Sequence, residues 1–400
     1  MSPQRSLRRT AGALRRRVTG ADLASMRDQI NELAGEVSTL SAQLQQLGGE
    51  AVTSVDVAIL SDFRLPGGTT ASIAEEVRAQ AAAGLSTALI HVNSAATSTA
   101  VGFSRHIRKV LDLPAVHVVS ARAQLHATLL VIRHPRVIET TGSGLPGLKA
   151  ENAVVVANHP ALDAAGVRHY DVEAADRRVR RLTGLQPVWA PISPVVRNSL
   201  HQQTDRIRTN ADDWVNIFGR PIEITPRTGF VADVPVIGRH SRPQKEKWPA
   251  SAEDILAAYP DTDELAVEIL GGAEVPAQIL GRIPESWNVQ PFGAEAPEDF
   301  LERIDFWVYM HHPQWREAFG RAAMEALAAG CVVILPPYLE EIYGQAAIYS
   351  QPAGITELVH QLWASPEHFL EQSRRGQSFA AEHGPQRHLQ RLTSLGVSLP

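Results

Sequence analysis

Glu317-Ala-Phe319-Gly320-Arg-Ala-Ala-Met-Glu325-Ala-Leu-Ala-Ala-Gly330, followed at once by Cys331-Val-Val-Ile-Leu335, is the stretch on which the fold turns. The residues from 321 to 329 are mostly small or good helix formers, and Gly330 ends the helix they predict. The apolar run at 331–335 is a strand, and a second such run lies upstream at 306–310. Strand, loop, helix and strand in that order form one repeat of a parallel α/β sheet. Glu317 falls in the loop and Glu325 two turns into the helix.

Outward from this unit the same alternation fills most of the chain. Further strands are expected at 234–238, 266–270 and 287–291, which with 306–310 and 331–335 make one α/β set. An earlier set is expected at 55–60, 86–92, 115–119, 128–132, 153–156 and 186–189. Between them, 214–230 is rich in proline, glycine and arginine and has no clear period, as a connection would be. At 400 residues the chain exceeds what one hydrophobic core usually supports. Two Rossmann-like domains, 51–215 and 216–400, are therefore expected, with the final helix able to return to the first. No solenoid-type repeat is present.

Ahead of both sets, Leu23, Met26, Ile30, Leu33, Val37, Leu40, Leu44 and Leu47 follow steps of three and four without a break. This heptad seam predicts a coiled-coil helix over 21–48, ended by Gly48 and Gly49. Leu23, Ile30, Val37 and Leu44 take its a positions and Met26, Leu33, Leu40 and Leu47 its d positions, a pattern that favours a parallel homodimer.

The net charge of −5 argues against general nucleic-acid binding, which needs a basic excess over a whole domain. Basic character is local: Arg5, Arg8, Arg9, Arg15, Arg16 and Arg17 precede the first acidic residue, Asp22. This tail, 1–20, suits an anionic membrane surface or an acidic partner, where each basic residue contributes about 1 kcal/mol. Cys331 is the lone cysteine and lies in an apolar run, so it reads as a buried small hydrophobe. No signal-peptide core or bilayer-spanning run is found, and a cytoplasmic location, at most peripheral to a membrane, is expected.

The chemistry concentrates around the opening motif. A helix opening near Phe319 and Gly320 presents unpaired backbone N–H groups and the positive end of its dipole, which suits a diphosphate. Gly320 lets the backbone approach closely. Glu325 is placed to accept two hydrogen bonds from the paired hydroxyls of a ribose, and Glu317 those of a sugar. At the end of the strand at 234–238, Arg239 and then Lys245 and Lys247 form a basic turn; fixed cations stabilise a negative charge that grows as a bond breaks. In the first set, Gly67 and Gly68 lie in a strand-to-helix loop, and His134 and His159 each follow a strand and precede a proline, where parallel sheets bind ligands.

The paired glutamates, Phe319-Gly320 just after the first, and the small-residue helix before a strand resemble the donor site of the retaining GT-B glycosyltransferases of family 4. The resemblance covers the second set from about 233 to 349 and the first only in outline. It implies two facing Rossmann-like domains and transfer of a sugar from a nucleoside diphosphate to an acceptor, with retention of configuration and without a metal or other cofactor. It further implies that Arg239 and Lys247, or Lys245 in its place, bind the diphosphate, and that the departing phosphate accepts the acceptor's proton. Gly67 and Gly68 correspond to the loop facing the donor, and His134 or His159 to a sugar or acceptor contact. A catalytically silent assembly module and a nucleotide-sugar epimerase of the same fold are the alternatives.

Three other patterns are set aside. Residues 142–147 match a dinucleotide-binding glycine pattern, but Pro146 interrupts it and no helix has room to follow. Asp261-Thr-Asp263 follows Pro260 and precedes a strand, as a solvated turn would. His311 and His312 are adjacent and would point to opposite faces, so they do not make a metal pair.

Overall fold

The computed structural model describes residues 53–400 except 66, 96–101 and 143, together with part of 30–40. The basic tail over 1–20 lies outside the described residues, as does most of the expected coiled coil over 21–48. The described residues of 30–40 are helical, and they leave the seam residues Ile30, Leu33, Val37 and Leu40 exposed.

Two parallel sheets organise the rest. The first contains β1 (Ser54–Ser61), β2 (Thr87–His91), β3 (Val116–Val119), β4 (Leu125–Arg133), β5 (Leu148–Ala157), β6 (Val188–Pro191) and β7 (Arg208–Thr209), in the order β3-β2-β1-β4-β5-β6-β7. The second contains β8 (Val236–His240), β9 (Ala266–Leu270), β10 (Trp287–Gln290), β11 (Phe306–Val308), β12 (Val332–Leu335) and β13 (Ile348–Tyr349), in the order β10-β9-β8-β11-β12-β13. Both central regions are nearly continuous apolar runs, as strands covered on two faces require. Val57, Ala58, Ile59 and Leu60 of β1 and the whole of β12 are buried. In each sheet the order reverses beside the first strand, between β1 and β4 and between β8 and β11. The carboxyl ends of the strands open a crevice at such a reversal.

Alternation along β11 divides the second unit's core. Phe306 and Val308 pack into a cluster with Ile237, Val332 and Ile334 on one face. Trp307 points the other way, into the large cluster that also holds the first sheet. That large cluster continues through Phe319, Met324 and Leu327 of the opening motif, so the motif's helix, Arg321–Ala328, is anchored by its apolar side.

Several boundaries differ from expectation. β8 starts at Val236 rather than at 234, because Pro235 has no N–H for the ladder, and it runs on to His240. Arg239 and His240 are thus strand residues with opposite facing, not loop residues. β10 stops before Pro291, and Cys331 precedes β12. The two-residue strands β7 and β13 carry too little pattern to be read from sequence.

The last helix, Pro385–Ser394, crosses back to the first unit and packs on helix Gly68–Ala82. Gln80 Nε2 meets His388 Nε2 at 2.9 Å, Arg391 donates to Glu76 at 3.1 Å, and Arg391 also donates to the carbonyl of Val215 at 2.7 Å.

Candidate active site

The site is built from one face of β11 and its extension. Trp307, Tyr309 and His311 alternate onto that face as a row of rings, with centroids 5.5 and 5.3 Å apart. Each ring holds something with its polar tip. Tyr309 donates its hydroxyl to Glu317 at 2.9 Å, and His311 Nε2 lies 2.8 Å from the Tyr338 hydroxyl, which accepts the Glu317 N–H at 2.8 Å. Trp307 Nε1 donates to His240 Nδ1 at 3.0 Å, and His240 Nε2 lies 3.1 Å from Glu325. Both glutamates of the motif are therefore fixed through the same strand.

Glu317 faces Lys247, whose Nζ donates to Oε2 at 2.5 Å. Lys247 enters from a short 3-10 turn, Lys245–Lys247, that follows β8, and its ammonium lies over the rings of Tyr309 and Trp315. Burial alone would raise the Glu317 carboxyl; the Lys247 ammonium and the Tyr309 hydroxyl outweigh it and hold it down at about 2. Glu325 is held below the ordinary carboxylate range in the same way, with burial opposed and outweighed by His240 and Arg321. Arg321 donates to Glu325 at 2.8 Å, one turn before it on the same helix face.

Arg239 stands apart from its expected place. Its side chain is fully buried and stacks on Trp248 at 3.9 Å. Its terminal nitrogens donate to the Tyr259 hydroxyl, the Met310 carbonyl, Ser241 and the Lys247 carbonyl, the last at 2.6 Å. These bonds fix the Lys247 turn from within the fold, and Arg239 Nε is buried without a hydrogen-bond partner among the described residues. Phe319 is likewise a packing residue, buried against Tyr343 and His383, while Gly320 takes a φ of +85° at the start of the motif helix. Lys245 is exposed, so of the two lysines it is Lys247 that meets Glu317.

The first unit closes over this arrangement. Gly67, with φ +90°, precedes helix Gly68–Ala82, and the Arg242 guanidinium carbon lies 3.2 Å from where a Gly67 Cβ would stand. His159 forms edge contacts with Trp315 and His169 at 5.8 and 4.6 Å, and it stacks with His134 at 6.3 Å. His134 has a φ of 78°, an unusual strain for a residue with a side chain, and desolvation pushes its ring down to about 3. Ser193 donates to the carbonyl of Ala318 inside the glutamate loop. A cavity of about 1040 Å³ runs from Glu325 and Arg321 past Glu75, Arg78 and Lys109 to Phe218 and Arg227 of the connection. Glu317 and Lys247 are not among the residues that line it.

Among the described residues no His, Cys, Asp or Glu cluster is arranged to hold a metal. Asp261 of the Asp-x-Asp pattern is tied to Arg282 and Ser286, and residues 144–147 run straight into β5 without a helix. No helix is long and apolar enough to cross a membrane among the described residues.

Solved structures that resemble this one include three of similar architecture. HepE of Anabaena, in complex with UDP-glucose, superposes with a TM-score of 0.60 at 13% identity, covering 85% of this chain and 98% of that one. A glycosyltransferase of Rickettsia africae gives 0.55 at 10% identity over 86% and 99% of the two chains. The lipopolysaccharide outer core galactosyltransferase WaaB, in its apo form, gives 0.53 at 10% identity over 84% and 98%. The chain has the GT-B fold. No protein-family model matches it, and no curated protein does either. At this identity the likeness carries the architecture alone. Within the GT-B fold, Glu317, Glu325 and Lys247 come from the second unit and His134, His159 and Gly67 face them from the first.

Sequence reasoning missed Trp307, Tyr309, His240, Arg321 and Tyr338. Two of these had a signal: Arg321 lies four residues before Glu325, and His240 follows Arg239 and so faces the other way.

Proposed function

We propose that this chain is a glycosyltransferase that moves a sugar from a nucleoside-diphosphate donor to an acceptor held by the first unit, with retention of configuration in the manner of family 4. The observation that supports it is the pair of fixed carboxylates, Glu317 against Lys247 and Glu325 against His240 and Arg321, presented by one loop-helix unit at the carboxyl ends of the second sheet. Glu325 would accept from the donor's ribose and Glu317 from its sugar. Lys247, freed from Glu317 in part as hydroxyls replace it, would stabilise the charge on the leaving diphosphate, with Arg239 holding the Lys247 turn from below. These cations would take the part that a metal ion plays in other transferases. The departing phosphate would accept the acceptor's proton on the same face of the sugar. His134 and His159, with Gly67 and Gly68, would shape the sugar and acceptor side, and closure of the two units would keep water from the donor.

The heptad segment would join two copies, and the basic tail would touch an anionic surface. The UDP-glucose bound by HepE makes UDP and UDP-sugars the first donors to try. Thermal unfolding with UDP, GDP, ADP, CDP and TDP and their sugars tests the reading, because a ligand at a hundred times its Kd stabilises by about 2.7 kcal/mol. No shift with any of them removes the donor site. With a donor in hand, product analysis separates transfer or donor hydrolysis from release of an isomerised sugar, which marks an epimerase, and from no turnover, which marks a silent module.

A further inference from the structure

His240 is buried between Trp307 and Glu325, and its two ring nitrogens have different partners. An indole N–H can only donate. His240 Nδ1, 3.0 Å from Trp307 Nε1, is therefore the acceptor, and the proton of the neutral ring is on Nε2. That proton points at Glu325 Oε2, 3.1 Å away, while Arg321 Nε donates to Oε1 at 2.8 Å. Each carboxylate oxygen thus has one donor already, and the plane of the carboxylate is set from two sides. The lone pairs left over, one on each oxygen, suit two hydroxyls on neighbouring carbons. Of the two motif glutamates, Glu325 is the one that lines the cavity.

We propose that His240, oriented by Trp307, is a positioning residue that holds the Glu325 carboxylate for the vicinal diol of the donor's ribose. This rests on the transferase reading. A histidine that merely filled space between β8 and the motif helix would affect the fold but not the choice between a diol and its absence.

The test is calorimetric binding of UDP and of 2′,3′-dideoxy-UDP to the full chain, repeated with GDP and its dideoxy analogue. The unaltered protein should prefer the diol. Equal binding, or none, overturns the reading of Glu325 itself, and the inference with it. Given that preference, His240→Leu should weaken the ribonucleotide about tenfold, the worth of one charge-assisted hydrogen bond, and leave the dideoxy analogue within about twofold. His240→Gln, whose amide restores a donor near Nε2, should recover most of the difference. A His240→Leu protein that keeps the full preference, or one that loses both ligands equally while melting normally, overturns the role of His240. If His240→Leu fails to fold, His240→Gln and Trp307→Phe decide the matter. The first should keep the preference for the diol and the second, by releasing the tautomer, should reduce it; the opposite pattern overturns the proposal.

Discussion

Lys247 Nζ and Glu317 Oε2 are in direct contact in the cleft, with both side chains about 15% exposed or less. A pair this sheltered is held by mutual need: either charge alone would be left nearly dry. Lys247→Met should therefore destabilise the chain by about 3 kcal/mol, whereas Lys247→Met with Glu317→Gln should recover most of that loss. Urea unfolding of the two single variants and the double variant closes the cycle. Strictly additive effects would mean that the two groups do not depend on each other.

Acid should unfold the protein in two stages. His91, His311 and His383 are pushed by burial down to about 4 from 6.5. Below pH 6.5 the unfolded chain binds protons that the folded chain refuses until about pH 4, so stability falls as pH drops through that window, by at most about 1.4 kcal/mol per pH unit for each ring. Glu317 acts lower. Its carboxyl is held at about 2 against 4.5 when unfolded, so its contribution is complete above pH 4.5 and is lost as pH falls through about 2. Urea midpoints from pH 7 to 3 measure both, and His383→Gln should lessen the slope between 6.5 and 4. A flat profile across that window contradicts the buried neutral rings.

What the sequence disclosed and what it withheld follow one division. The motif helix, the strands around it and the two glutamates are local patterns, and Lys247 lies close to its strand. The surroundings of Arg239 were not readable, because they depend on where the strand ends: it runs on past Gly238 to His240, which puts Arg239 inside the ladder with its guanidinium on Trp248. The Trp307 and Tyr309 row was hidden for a different reason. It acquires meaning only when Trp307 registers beside Gly238 of β8, a pairing that spans 69 residues of chain (307 minus 238). The link from Trp307 to His240 to Glu325 is a product of that register.

Glu325→Ala should abolish transfer and weaken nucleotide binding while leaving the fold intact. The residue is partly exposed and its helix is anchored by Met324 and Leu327 on the other side, so little packing is lost. Arg321 keeps access to water through the cavity. Circular dichroism and a melting curve beside a turnover assay separate the effects. Unchanged turnover removes Glu325 from the proposed donor site.

Ile30, Leu33, Val37 and Leu40 are each about 60% exposed on one helical stripe. Four such side chains at heptad spacing invite a matching stripe, and a second copy offers one. Replacing Leu33 and Leu40 by glutamate should convert a dimer to monomers that still bind nucleotide, since both side chains are exposed. Light scattering at two concentrations reads the mass. A protein that is monomeric before the substitution, or dimeric after it, places the contact elsewhere.

The two units are joined through one arginine as well as through the connecting segment. Arg321 donates to Glu325 and also, at 3.3 Å, to Glu75 on helix Gly68–Ala82 of the first unit. Glu75 in turn accepts the N–H of Gly219 at 2.8 Å, in the segment that connects the units. The glutamate proposed to meet the ribose is thereby tied through one arginine to the opposite unit and to the hinge. Both members of the Arg321–Glu75 pair are partly exposed, so the pair adds less than about 1 kcal/mol to stability, and its effect should appear in geometry instead. Glu75→Ala removes the bridge and frees the Gly219 N–H. Gly219→Ala acts on the same joint by another route, since a Cβ there would stand 2.3 Å from the carbonyl oxygen of Glu75 and must push the connection off the helix. Glu75→Ala should melt close to the parent and Gly219→Ala lower, by about 1–3 kcal/mol of stability, yet both should show a larger radius of gyration by small-angle X-ray scattering without nucleotide. An unchanged radius in both would mean that the closure of the cleft rests on other contacts, such as Ser193 with the Ala318 carbonyl.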